Sequence, residues 1–204
     1  MRLTTKLSSL LLICLPALAA NNNVVPAASL ELNDLLMESL QQVNHVPGMA
    51  AAIYKDGQLI WHKEVGYADL ENKIPVTEQT KFRFASVSKF VTSTMLAKMV
   101  DDKTIDMHKD INYYLPEYPS KKSTFNSIQL ASHTAGMAHY QEGFDENKDL
   151  RPQIYTSSVD ATDVYKNRPL KSISGTQYNY SSYGTNLLSA VMEKSANKKY
   201  PVML

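Results

Sequence analysis

Beginning at Ser29, the apolar residues Leu32, Leu35, Leu36, Leu40 and Val43 recur at three- and four-residue steps. That spacing predicts an amphipathic helix with Ser29 as its N-cap. Residues 45–48, which include Pro47, end it. Residues 49–54 (MAAAIY) and 59–67 (LIWHKEVGY) then read as two strands, rich in aromatic and β-branched positions. Lys55-Asp56-Gly57-Gln58 between them is hairpin chemistry, with Gly57 free to take a positive φ. A loop runs through Pro75. Beyond Ser86 a second helix is predicted by the spacing of Phe90, Val91, Met95, Leu96, Met99 and Val100, closed by Asp101 and Asp102. Residues 115–119 read as an extended loop, 127–131 as a short helix ending near Gly136, and 183–194 as a further helix. Residues 141–172 are polar and weakly periodic and receive no assignment. With only two convincing strands the pattern is α+β, and a two-stranded hairpin is marginal in water unless something covers its apolar face.

Composition narrows the function. The chain has 204 residues, a formal charge of +1 and a single Cys. Its basic residues are scattered, which gives no electrostatic footprint for nucleic acid. No glycine-rich phosphate loop occurs. Residues 1–20 read as a secretory signal: Arg2 and Lys6, then an apolar run through Leu15, then Ala17-Leu18-Ala19. Pro16 and three consecutive Asn end that run too early for a stable membrane span. The expected organisation is therefore a signal at 1–20, a flexible lead-in at 21–28 and one domain at 29–204, secreted or periplasmic. Cys14 lies within the signal, so the mature domain would hold neither disulfides nor Cys-based metal sites.

The candidate chemistry is Ser86-Val87-Ser88-Lys89. At the first turn of a helix, residues three apart share a face, so a lysine amine reaches the serine hydroxyl. A partly desolvated lysine accepts or relays the serine proton, and the helix N-terminus adds positive potential for an oxyanion. The competing reading is an ordinary N-cap Ser86 with a solvated Lys89. Ser195 and Lys198 repeat the spacing at a helix end, where it reads as a chance match. The five histidines lack zinc spacing, and His133 reads as hydrogen-bonded in a buried turn. The acidic stretch at 142–146 lacks calcium-loop spacing.

The order of neighbouring segments carries more weight than the motif. "VPGMAAAIYKDGQLIWHKEVGYADLENKIPVTEQTKFRFASVSK", "DKTIDMHKDINYYLPEYP", "SIQLASHTAGM" and "GTQYNYSSYGTNLLSAVMEKSA" follow one another between about residues 29 and 200. In that order they resemble the N-terminal part of the beta-lactamase-related serine hydrolases: class C beta-lactamases, D-Ala-D-Ala carboxypeptidases and, closest in pattern, the mitochondrial serine beta-lactamase-like group. The resemblance implies an α/β fold of the beta-lactamase/transpeptidase type: an antiparallel sheet with flanking helices and an all-helical part. It implies hydrolysis of amide or ester bonds, of beta-lactam or peptide type, through an acyl-enzyme and without metal or cofactor. Ser86 would be the nucleophile, Lys89 the proton relay, and Tyr180 the residue that shuttles a proton between nucleophile and leaving group. Tyr178 is a rival for that last role, although it falls where the family usually places a packing Phe. Ser182 stands where the family has Asn and would be the substrate-binding residue, with shorter reach and one donor.

The family's third motif, Lys-Thr-Gly or His-x-Gly on a strand, follows the Tyr segment by well over a hundred residues. His133-Thr134-Ala135-Gly136 is not that motif, and the sequence reaches Leu204 without it. The expectation is that the C-terminal strands are missing, and with them one oxyanion donor. Such a donor is worth about 10²–10³ in rate. The second reading is therefore a catalytically silent fragment or ligand-binding module.

Overall fold

The computed structural model describes residues 27–140 and 155–204. The signal-like segment, all but the last residues of the lead-in and the acidic stretch at 142–146 lie outside them. The described residues form two compact units, one ending at Phe82 and the other beginning at Arg83.

In the first unit, helix α1 (Ala27–Val43) precedes strands β1 (Gly48–Lys55), β2 (Gln58–Asp69) and β3 (Ile74–Pro75), ordered β1-β2-β3 and antiparallel throughout. The expected hairpin is present. Asp56 and Gly57 both have positive φ, 51° and 77°, as a two-residue loop matching the strand twist requires. β2 carries one extra residue, Ile60, where the register shifts between Ile53 and Tyr54. The loop expected through Pro75 instead contributes a two-residue edge strand; proline is tolerated there because an edge position needs no ladder N–H.

One expectation about α1 does not hold. Ser29 lies inside the helix and does not cap it. The stripe Leu32, Leu35, Leu36, Leu40 and Val43 is exposed, while Met37 is buried. The reason is a polar dock. The Trp61 indole N–H donates to the Asp34 carboxylate (2.9 Å), and the Lys63 ammonium meets Asp34 (3.4 Å) and Glu38 (3.1 Å). Residues 34, 37 and 38 therefore face β2, and the leucines turn away. The Trp61 bond, and Lys63 after it, hold the Asp34 carboxyl below its ordinary range.

The second unit is helical: a 3-10 turn (Ala85–Val87), α2 (Ser88–Asp101), α3 (Ile111–Tyr114), α4 (Ser127–Ala131), α5 (Ser158–Ala161), a 3-10 turn (Thr162–Val164), α6 (Ser182–Ala196) and α7 (Tyr200–Met203). α6 is its axis. Leu187, Leu188, Ala190, Val191 and Met192 have almost no exposure and pack with Leu96, Met99, Ile111, Leu115, Phe125 and Leu130. Ser181 caps α6 by accepting from the Gly184 N–H (2.9 Å), and Asn197 closes it at φ 50°. Glu193 is buried on α6 and accepts the N–H groups of Ser158 (2.8 Å), Val159 (3.3 Å) and Tyr200 (2.8 Å), capping the two short helices that flank it. Asn126 and Gln129 form a reciprocal capping box on α4. α3, capped by Asp110, went unrecognised in the sequence, and residues 116–117 turn where an extended loop was expected. On α2 the apolar positions are only partly covered: Leu96 and Met99 are buried, but Phe90 and Val91 are exposed.

Candidate active site

Ser86 sits in the middle of the 3-10 turn that leads into α2. The residue before it, Ala85, has φ 45°, a left-handed conformation that L side chains avoid at a cost of about 1–2 kcal/mol. That kink presents Ser86 to solvent. The N-cap position of α2 belongs to Val87, whose side chain makes no capping hydrogen bond. The N-cap reading of Ser86 therefore fails.

Among the described residues the Ser86 hydroxyl has two side-chain partners. The Lys89 ammonium donates to Ser86 Oγ at 3.0 Å, and the Tyr180 phenol oxygen lies 2.7 Å from the same atom. Lys89 reaches Ser86 because one helical turn separates them. Tyr180 arrives from the segment preceding α6, 94 residues further along. Lys89 is half-buried and also donates to Ser182 Oγ at 3.2 Å, on the first residue of α6. Its ammonium lies 4.9 Å from the centre of the Tyr180 ring. Lys89 first, and the Ser86 hydroxyl second, hold the Tyr180 phenol below its ordinary value of 10.

The four sequence candidates Ser86, Lys89, Tyr180 and Ser182 thus converge. Tyr178 does not join them: it is 68% exposed, not packed as its family position suggested, and its ring meets that of His133 in a T-shaped contact at 5.9 Å. Ser182 is engaged with Lys89 through its hydroxyl. Ser195 donates to the Thr104 carbonyl, so the second Ser-x-x-Lys match makes no Ser–Lys pair.

Two histidines missed as site neighbours stand against Tyr180. His133 Nδ1 accepts the Ser181 N–H (3.2 Å), and His139 Nδ1 accepts the Ser182 N–H (3.3 Å). Their rings lie 4.7 and 5.2 Å from the Tyr180 ring. Each is more than forty residues from its partner, so no local spacing could have revealed the pairing. Gly136 lets this loop pass close to its neighbour: at φ 78°, a Cβ there would lie 2.4 Å from the Ser172 carbonyl oxygen. Among the described residues no cluster suited to a metal ion is present, and no helix is long and apolar enough to cross a membrane.

Comparison with known proteins shows the family and the fold. The family model described as Beta-lactamase matches residues 34–204. The chain belongs to the beta-lactamase family. Among curated relatives, the human mitochondrial serine beta-lactamase-like protein LACTB is 24% identical, with 85% of this chain and 44% of the relative covered. A beta-lactamase of Providencia stuartii is 27% identical, with 83% and 41% covered. The chain thus spans less than half the length of the curated relatives it matches. Among solved structures, FmtA from Staphylococcus aureus superposes with a TM-score of 0.67 at 24% identity, covering 83% of this chain and 45% of that one. EstCE1, described as a hydrolase with promiscuous acyltransferase activity, gives 0.70 at 22%, covering 86% and 49%. A class C beta-lactamase gives 0.67 at 23%, covering 87% and 47%. The fold is the beta-lactamase/transpeptidase-like α/β type of which the antiparallel hairpin and helical part are described above.

Proposed function

We propose that the protein is a serine hydrolase in which Ser86 attacks an amide or ester carbonyl. The observation that carries this reading is the double engagement of Ser86 Oγ, by Tyr180 at 2.7 Å and Lys89 at 3.0 Å, at a kinked and solvent-open position. Ser86 Oγ forms a bond to the carbonyl carbon, and its proton passes to the Tyr180–Lys89 pair in the form that lacks one proton, a Tyr180 phenolate held beside the Lys89 ammonium. The pair returns that proton to the leaving nitrogen or oxygen as the scissile bond breaks, which leaves an ester on Ser86. Water then adds to that ester, losing its proton through the same pair, and the acid departs with Ser86 restored. The lowered phenol of Tyr180 suits it to both directions of transfer, because a proton is exchanged most readily between groups of comparable affinity. Ser182 offers a hydroxyl already held by Lys89, where its relatives offer an amide, which favours peptide or simple ester substrates over amide-bearing beta-lactams.

Intact-mass analysis of the full chain, after exposure to a fluorophosphonate and separately to benzylpenicillin, tests the reading. A covalent adduct that is absent in Ser86→Ala is the expected result. A folded chain that takes no adduct would instead mark a ligand-binding module without turnover.

A further inference from the structure

We infer that His133 is a positioning residue for Tyr180, and that it acts only as the neutral imidazole, so that protonating it releases the phenol from Ser86. The inference rests on the reading of Ser86 as nucleophile and adds a pH-dependent support to it.

His133 grips the Tyr180 segment on both sides of the tyrosine. Its backbone carbonyl accepts the Asn179 N–H at 2.7 Å, and its ring Nδ1 accepts the Ser181 N–H at 3.2 Å. A single residue meets two alternate positions of an extended segment because its own backbone is left-handed, φ 59°, which swings the side chain round beside its carbonyl. Ser181 is further fixed by donating its hydroxyl to the Ala138 carbonyl (2.7 Å). The residue between the two gripped N–H groups is Tyr180, and its ring rests on the His133 ring at 4.7 Å, tilted by 44°. By contrast, Ser86 stands on a short exposed turn. The 2.7 Å contact is therefore aligned chiefly from the tyrosine side.

An Nδ1 that accepts a backbone N–H carries no proton, so the neutral tautomer has its hydrogen on Nε2. A second proton would have to enter at Nδ1, where it would oppose the Ser181 N–H donor. The groups facing the ring are the Lys89 ammonium on α2, His139 on the following loop, and the phenols of Tyr178 and Tyr180. Only Lys89 is a fixed charge among them, and it repels imidazolium. Burial first, then Lys89 and His139, push the His133 ring below its ordinary value of 6.5. The sign follows by linkage: between that lowered value and 6.5 the unfolded chain holds more protons than the folded one. The contribution of His133 is complete above 6.5, falls as the pH drops below it, and is spent below the lowered value.

The test uses the full chain with tyrosine labelled at Cζ with ¹³C, and the fluorophosphonate labelling rate of Ser86, from about pH 7.5 to about pH 5. In the wild type, the Tyr180 resonance (identified by its loss in Tyr180→Phe) and the labelling rate should shift together below 6.5. His133→Asn keeps an acceptor, tolerates the left-handed backbone and cannot be protonated. It should give a Tyr180 resonance independent of pH in this window. His133→Phe keeps the ring contact but not the acceptor. It should lose about 10- to 100-fold in labelling at pH 7.5, with Asn recovering most of that loss. If the Tyr180 resonance moves identically in wild type and His133→Asn, the inference is overturned. If Ser86 takes no label but the resonance behaves as described, the positioning role stands and the hydrolase reading falls. Circular dichroism of each variant identifies any that has unfolded, and His133→Asn alone then decides.

Discussion

Removing one oxygen atom separates proton chemistry from structure in this site. Tyr180→Phe deletes the 2.7 Å contact to Ser86 and leaves the ring in place against His133, His139 and the Lys89 ammonium. Tyr180 is 37% exposed, so water replaces the lost partner, and the stability change should stay below about 1 kcal/mol. The rate is another matter. A positioned acid–base group contributes about 10²–10⁴, which corresponds to about 3–5 kcal/mol on the barrier. The assay is the second-order rate of Ser86 labelling by a fluorophosphonate, followed by intact mass, beside thermal unfolding of the same samples. Tyr178→Phe removes the same atom from a residue two positions away that is 68% exposed, and should label like the wild type. A Tyr180→Phe protein that labels within about threefold of wild type, while Ser86→Ala does not label, would refute the shuttle and leave Lys89 as the sole base.

Two further outcomes follow from named contacts. Glu193→Ala strands the N–H groups of Ser158, Val159 and Tyr200. At about 1–3 kcal/mol for a buried donor left unpaired, partly relieved by water, urea unfolding should show a loss of about 2–4 kcal/mol, with Glu193→Gln losing less. In alkaline titration followed by tyrosinate absorbance, one phenol should ionise before the rest and vanish from the curve in Tyr180→Phe. In Lys89→Met it should move back toward the ordinary value of 10. Because the folded phenol gives up its proton first, folding gains stability as pH rises from the lowered value to 10, and Tyr180→Phe should lose that gain.

What the sequence revealed and what it hid divide along physical lines. The hairpin was legible because Asp56-Gly57 dictates a turn and β1 and β2 alternate around it. α6 was legible because Leu187, Leu188, Val191 and Met192 share one face and that face is the core. α1 was legible as a helix, but its buried face was not: apolar periodicity names a stripe, whereas the Asp34–Trp61 bond and the Lys63 pairs chose the opposite one. Tertiary pairing also made β3, whose two residues have no signal apart from β2. Ser86, Lys89 and Tyr180 could be named because one pair is local and the tyrosine segment resembles a known pattern. The histidines could not, since their partners are backbone N–H groups with no sequence signature.

The site joins parts of unequal rigidity. Ser86 lies on an exposed 3-10 turn behind a left-handed alanine, with few buried neighbours to hold it. Lys89 is the second residue of the 14-residue helix α2, and Tyr180 is clamped between Asn179 and Ser181 beside the buried axis of the unit. A hydroxyl on the most exposed of three elements is oriented by its partners more than by its own backbone. Removing either partner should therefore widen the spread of Ser86 rotamers as well as deleting a bond. The effects of Lys89→Met and Tyr180→Phe on labelling should then be far from additive, because the first loss already forfeits much of the alignment that the second group needs. Additive losses in the double variant would mean that Ser86 is held by its own turn. The strain at Ala85, relieved in Ala85→Gly, would then become the determinant of its aim.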